Sequence, residues 1–246
     1  MKLFRFLLCL TFGLTVTAAY AQPNYLLSTK KEGTVALSLG AMALGNLWSS
    51  QQLQGFTEAE LMALDASSVP AFDRWSLQRW NEGAGHRSDL LFYGAAAWSS
   101  TAVLIPAWQE KNVWASLPAA VMWVEMNSLT LMATDLTKNL VSRPRPFTYY
   151  NAAPLADRMD SDARKSFFSG HTSMTAANSF YAAKMYSDLY PDSRWRPWVW
   201  TAAAVLPAIT AQQRMAAGKH FLSDVLVGYV VGGFIGYMVP EFHRRR

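Results

Sequence analysis

"HFLSDVLVGYVVGGFIGYMV", His220 to Val239, decides how the rest of this sequence is read. The run is too long for an ordinary strand and lacks a strand's alternation of apolar and polar residues. It predicts a helix from about Phe221 to Val239, stopped by Pro240. On that helix Gly228, Gly232 and Gly236 continue the i+4 row begun by His220 and Asp224. A row of small residues lets a neighbouring helix come close. The helix that follows Ser169-Gly170-His171 is a candidate for that neighbour.

The same reasoning extends outward. Pro197 suits the first turn of a helix to about Gln212. A helix starting at Ser169 or Gly170 should end before Pro191. Asn112 to Lys138 is the longest helical candidate, and a loop with Pro144, Pro146 and Pro154 follows it. Ser88-Asp89 can cap a long helix running to about Trp108. Thr57 with Glu60 matches a capping box. Thr34 to Trp48 is a further Ala/Gly/Leu-rich helix. No stretch shows useful strand alternation. The expected fold is all-α, a bundle of about six main helices in a single domain over residues 22–246.

Composition narrows the setting. Of 246 residues, 51% are hydrophobic and only 16% charged, against roughly 25% in ordinary soluble domains. The net charge is +5, and apart from Arg244-Arg245-Arg246 at the end no dense basic run interleaved with aromatics appears, which argues against a nucleic-acid partner. Anionic lipid or phosphate partners fit the charge. Lys2 and Arg5, the apolar stretch Phe6 to Val16 and the small-x-small Ala19-Tyr20-Ala21 read as a signal peptide over residues 1–21. The chain is then exported to the cell envelope and begins near Gln22. Cys9, the only cysteine, falls in that segment, so disulfides and thiol catalysis are excluded.

Leu90–Trp108, Val113–Leu136 and Leu222–Val239 are long enough to span a bilayer. Arg244 to Arg246 would put the C-terminus in the cytoplasm, and the loop after Lys138 outside. A cleaved signal also leaves Gln22 outside, so Thr34–Trp48 cannot span without reversing that order. Either it lies at the surface, or the whole protein is a soluble periplasmic bundle. The membrane-associated reading, with its chemistry facing the periplasm, is preferred. Trp108, Trp114, Trp195 and Trp198 suit an interfacial belt.

Three clusters carry chemistry. "KNLVSRPRP", Lys138 to Pro146, sets Lys138 at a helix end and Arg143 and Arg145 in a stiffened loop. "FSGHT", Phe168 to Thr172, offers a hydroxyl, a bare glycine backbone and an imidazole at a helix N-terminus, where anions bind. "RMAAGKHFLSD", Arg214 to Asp224, spaces His220 and Asp224 four apart. A carboxylate there can take the Nδ1 proton and leave Nε2 as a nucleophile or base. Each cluster also has a plain reading: helix-end cations balancing a dipole, an N-cap serine, a surface His–Asp pair. Glu125 and Asn127 suggest interhelical hydrogen bonds, and His243 a basic tail.

Taken together, the order and spacing of Lys138, Arg145-Pro146, Ser169-Gly170-His171, Arg214, His220 and Asp224 resemble the type 2 phosphatidic acid phosphatase superfamily, which includes bacterial acid phosphatases and vanadium haloperoxidases. The resemblance covers about residues 135–228. Phe168 stands where proline is common, and Gln213 where serine is common. The resemblance implies that Lys138, Arg145, Ser169, Gly170 and Arg214 bind a phosphate. It implies that His220, oriented by Asp224, attacks phosphorus and that His171 protonates the leaving oxygen. No metal or cofactor is implied, and no role for Arg143 is assigned. The implied activity is hydrolysis of a phosphate monoester or pyrophosphate, foremost a lipid phosphate. A soluble periplasmic acid phosphatase, vanadate-dependent halide oxidation and a non-catalytic membrane scaffold are the alternatives.

Overall fold

The computed structural model describes residues 21–22 and 25–245. Residues 1–20 of the expected signal peptide, Cys9 among them, lie outside the described residues. Among the described residues six long helices carry the fold: α1 (Thr29–Ser50), α3 (Glu82–Glu110), α4 (Leu117–Val141), α6 (Gly170–Leu189), α7 (Arg196–Ala216) and α8 (Leu222–His243). Two short ones, α2 (Glu58–Met62) and α5 (Leu155–Met159), sit in the connections. The β-structure is a two-residue antiparallel pair, β1 (Ala21–Gln22) with β2 (Tyr25–Leu26), and a bridge from Tyr25 to Arg244. The all-α bundle expected from the sequence is the fold observed.

Several boundaries move for identifiable reasons. The α3 helix begins seven residues before Asp89, because the Asn81 side chain caps it by accepting the Ala84 N–H at 2.9 Å. Ser88 and Asp89 therefore lie inside the helix and do not cap it. Pro240 does not stop α8, which runs on to His243. Proline removes one helical hydrogen bond but allows the helix to continue where packing holds it. The capping box at Thr57 and Glu60 is present as expected.

The long helices alternate in direction. Asp89 on α3 meets His171 on α6, and Ser88 meets Arg214 on α7, at the end where the proline-rich loop lies. Gln109 on α3 meets Tyr190, and Lys184 on α6 meets Glu241 on α8, at the opposite end, where Tyr25 and Arg244 also pair. Helix α1 runs parallel to α4: Glu32 lies near Glu125 through His243, and Asn46 Nδ2 donates to the Met132 carbonyl at 3.0 Å. The first helix is thus a member of the bundle and is not laid across its surface.

Polarity is distributed inside out. Helix α6 is central and largely buried, yet it carries buried Thr172, Ser173, Thr175, Asn178, Ser179 and Lys184. Asn178 accepts from Ser99 Oγ at 2.6 Å and donates to Asn127 Oδ1 at 2.9 Å, so Asn127 does join neighbouring helices. The outer helices expose Leu37, Leu44, Leu90, Leu104, Leu131, Val230 and Phe234. Helices α3 and α8 are long and apolar enough to cross a membrane. Even α6, with 20 residues, is about 30 Å long at 1.5 Å per residue, matching a hydrocarbon core of about 30 Å. Trp108, Trp114, Trp195 and Trp198 are all exposed. They flank the connections at the terminal end, a position suited to an interfacial belt.

The glycine row explains how the centre is held. A Cβ on Gly232 would sit 1.9 Å from the Ser173 carbonyl oxygen, and one on Gly236 would sit 2.2 Å from that of Ala177. One on Gly228 would sit 2.7 Å from the Ser169 carbonyl oxygen. Backbone therefore packs on backbone along α6 and α8, as the i+4 spacing anticipated. That contact draws the N-terminus of α6 against the start of α8, and there the Ser169 N–H donates to the Asp224 carbonyl at 3.0 Å.

Candidate active site

At the proline-loop end the three clusters converge. Lys138 occupies the last turn of α4, which Ser142 closes in a left-handed conformation (φ 47°). Asparagine and small polar residues tolerate that region better than branched ones. The chain then turns into Arg143-Pro144-Arg145-Pro146. Arg145 is buried and held rigidly: its N–H donates to the Ala163 carbonyl, its Nε to the Asp162 carbonyl and its Nη2 to Asp162 Oδ1, each at 2.8 Å. Its Nη1 reaches the Lys219 carbonyl at 3.4 Å.

Ser169 caps α6, and its Oγ lies 3.0 Å from Thr172 Oγ1. Gly170 opens the helix. A Cβ there would lie 3.1 Å from Lys138 Nζ, so glycine at this position lets the ammonium approach a helix N-terminus. The two together favour an anion. Arg214 ends α7 with Nη1 3.3 Å from Ser88 Oγ. Its Nε is buried and makes no hydrogen bond. A buried guanidinium with an unspent N–H is costly unless an acceptor reaches it.

His220 lies in the connection between α7 and α8, not on a helix. Gly218 makes that turn possible: its φ is +71°, and a Cβ would sit 2.0 Å from the Arg79 carbonyl oxygen. His220 Nδ1 is 2.7 Å from the Ser166 carbonyl. A carbonyl only accepts, so the proton is on Nδ1 and Nε2 carries a lone pair. This corrects the expectation that Asp224 takes the Nδ1 proton. Asp224 Oδ2 is 3.8 Å from that nitrogen. Instead it accepts the Phe221 N–H at 2.8 Å and the Ser166 hydroxyl at 2.5 Å. The i+4 argument fails because His220 precedes the first helical residue and Asp224 turns back to cap its own helix. Asp224 thus orients His220 indirectly, by fixing Ser166.

The imidazole of His220 is held well below its ordinary pKa by burial, then by the charges of Arg145, Arg214 and Lys138. It stays neutral, the form a nucleophile needs. Asp162 is lowered despite its burial, by the charges of Arg145 and Lys138 and by the hydrogen bond from Arg145. The same cations face several groups, as expected of a single cluster. His171 sits half-buried at the edge with Nε2 2.8 Å from Asp89 Oδ1 and its ring against Phe92.

Sequence reasoning missed Asp89, Ser88, Asp162, Ser166 and Asp73. Asp73 is buried in the turn Ala71–Ser76, where its carboxylate accepts from the Ser223 N–H at 2.8 Å, from the Ser223 hydroxyl at 2.7 Å and from Arg143 Nη2 at 2.8 Å. Arg143 also donates to Ser223 Oγ at 2.7 Å and to Asp224 Oδ1 at 2.5 Å, and lies 4.2 Å over the Phe221 ring. It is a positioning residue, spent on the start of α8. Arg143→Met is expected to lower kcat by about 10- to 100-fold while KM changes less than about threefold, with partial recovery in Arg143→Lys. Steady-state kinetics of the three proteins checks this, and a KM increase matching the loss in kcat/KM would instead make Arg143 a phosphate ligand.

Two comparisons with known proteins bear on the fold and the family. The crystal structure of a transmembrane PAP2-type phosphatidylglycerolphosphate phosphatase from Bacillus subtilis has a similar fold, with a TM-score of 0.53 at 18% identity, over 83% of this chain and 94% of that one. A family model described as the PAP2 superfamily matches residues 117–246, which include the three clusters and slightly more than half of the sequence. The chain belongs to the PAP2 superfamily.

Proposed function

We propose that this chain, a phosphoric ester hydrolase by family, removes phosphate from a lipid phosphate monoester or pyrophosphate through a covalent phosphohistidine. The observation that carries the reading is the cluster itself: Lys138 against the Gly170 helix end, Arg145 and Arg214 buried beside it, and a neutral His220 with Nε2 as its free lone pair.

The steps follow from those positions. Lys138, Arg145, Arg214, the Ser169 hydroxyl and the Gly170 backbone hold the phosphoryl oxygens, where fixed cations offset charge in the transition state. His220 Nε2 attacks phosphorus, a P–N bond forms and the P–O ester bond breaks. His171 gives its proton to the departing oxygen, and Asp89, 2.8 Å from its Nε2, fixes the ring's orientation. Water then attacks phosphorus, the P–N bond breaks, His171 takes the water's proton and phosphate leaves. As the leaving group needs that proton in proportion to its basicity, His171→Ala is expected to slow alkyl phosphates by about 100-fold or more and nitrophenyl phosphate by under about tenfold. Equal losses would remove the general-acid role.

A lipid substrate is supported by the apolar outer face and the interfacial tryptophans. With the phosphate site facing outward, as expected from the sequence, Gln22 and Tyr25 lie at the opposite, inner end beside Arg244, so this orientation replaces the expected cleaved signal peptide. Phosphate release from a panel of lipid and soluble phosphates, with wild type and His220→Ala in detergent, tests the reading. Preference for soluble substrates, with recovery in a detergent-free extract, would favour a soluble acid phosphatase instead.

A further inference from the structure

We propose that Glu32, Glu125 and His243 form a site for one divalent transition-metal ion of the zinc class, at the end of the bundle opposite the phosphate site. The three residues come from the first turn of α1, the body of α4 and the last residue of α8. One ligand atom from each lies within 4.8 Å of the others. His243, expected from the sequence to sit in an exposed basic tail, is 0% exposed, and Glu125 is 7% exposed.

The chemistry of the three atoms calls for a cation. His243 Nδ1 is 2.8 Å from the Val239 carbonyl, so the proton is on Nδ1 and the neutral ring presents a lone pair at Nε2. This pattern, a backbone carbonyl behind the imidazole, is the one that orients metal-binding histidines. Nε2 faces Glu32 Oε1 and Glu125 Oε2, each at 3.3 Å. Neither Nε2 nor Glu125 Oε2 makes a hydrogen bond. Three electron-rich atoms thus face one another in a buried space, an arrangement that needs a cation or a shared proton between them.

Nearby basic side chains are engaged elsewhere. Lys31 Nζ donates to the Phe242 carbonyl at 2.6 Å, Lys184 pairs with Asp188 and Glu241, and Arg244 pairs with Glu241. Glu32 has one further contact, the Ser28 N–H at 3.4 Å.

The spacing and the donors choose the ion. Bonds of about 2.0–2.1 Å to a tetrahedral zinc set ligand atoms about 3.3–3.4 Å apart, and the two Nε2–O separations are 3.3 Å. Two carboxylates and an imidazole leave a fourth position for water. Calcium and magnesium prefer more ligands and all-oxygen sets. The ion would tie the last turn of α8 to α1 and α4. It has no part in the phosphate chemistry: Glu125 and Lys138 are thirteen residues, about 20 Å, apart along α4.

Purified full-length protein in detergent, stripped with a chelator and dialysed against buffered zinc, should bind one zinc per chain by elemental mass spectrometry. Glu32→Gln, Glu125→Gln and His243→Gln should each weaken binding at least tenfold. Cobalt in place of zinc should give the visible absorption bands of a tetrahedral site in wild type and not in Glu32→Gln. Glu32 sits in the first turn of α1 and glutamine keeps its shape, so that variant should keep the fold even if the other two do not. Zinc content below about 0.1 per chain, or equal zinc in wild type and Glu32→Gln, would overturn the proposal and leave a protonated His243 as the cation.

Discussion

His220→Ala is expected to lower phosphate release by at least about a thousandfold on every substrate, with the fold unchanged. The loss follows from the geometry of one nitrogen. Nε2 is the only reactive atom of that ring, because Nδ1 is spent on the Ser166 carbonyl at 2.7 Å. Alanine leaves the cationic cluster intact, so substrate still binds, but no bond to phosphorus can form and the covalent route closes. Phosphate release with water-soluble and lipid substrates checks the rate. Acid quenching during turnover checks the intermediate: wild type should retain label from a phosphorus-labelled substrate, and the variant none. A variant within tenfold of wild type would end the phosphohistidine mechanism.

The second large effect concerns stability. Gly232→Val is expected to cost more than about 4 kcal/mol and to prevent recovery of folded protein. Its Cβ would have to occupy a point 1.9 Å from the Ser173 carbonyl oxygen and 2.6 Å from the carbonyl carbon. Both atoms belong to the backbone of a central helix, so neither can swing aside. Separation of α6 from α8 would also break the Ser169–Asp224 bond that aligns the Gly170 helix end with the His220 loop. Gly94→Ala is the control. Nothing lies within 4 Å of its Cβ, and alanine favours a helix over glycine by about 1 kcal/mol. Its melting temperature in detergent should equal or slightly exceed wild type. If Gly232→Val melts within a few degrees of wild type, the close packing is not what holds the centre.

The parts of this structure that were legible in the sequence are those written into local spacing. The i+4 glycines announced a backbone-to-backbone helix contact, and Ser169-Gly170-His171 announced a capped helix start. The residues that escaped notice act across long separations. Asp89 carries an N-cap signal together with Ser88, and only the approach of α3 to α6 shows it beside His171. Asp73 sits in an unremarkable turn, and its partners are 70 and 150 residues away. The His220–Asp224 spacing misled for a different reason: periodicity predicts shared faces only inside a helix, and His220 lies just before one. His243 was hidden by its arginine neighbours, since composition cannot show that a helix passes Pro240 and buries its last residue.

The meeting of Tyr25 with Arg244 has a use in rewiring the chain. Tyr25 and Arg244 already touch, so a short linker could join the chain at these two residues in place of what lies beyond them, and a new opening could be cut near Asp192 on the same face. Such a circularly rearranged protein would keep its six long rods in place and leave Lys138 to His171 and Arg214 to Asp224 each on an uncut segment.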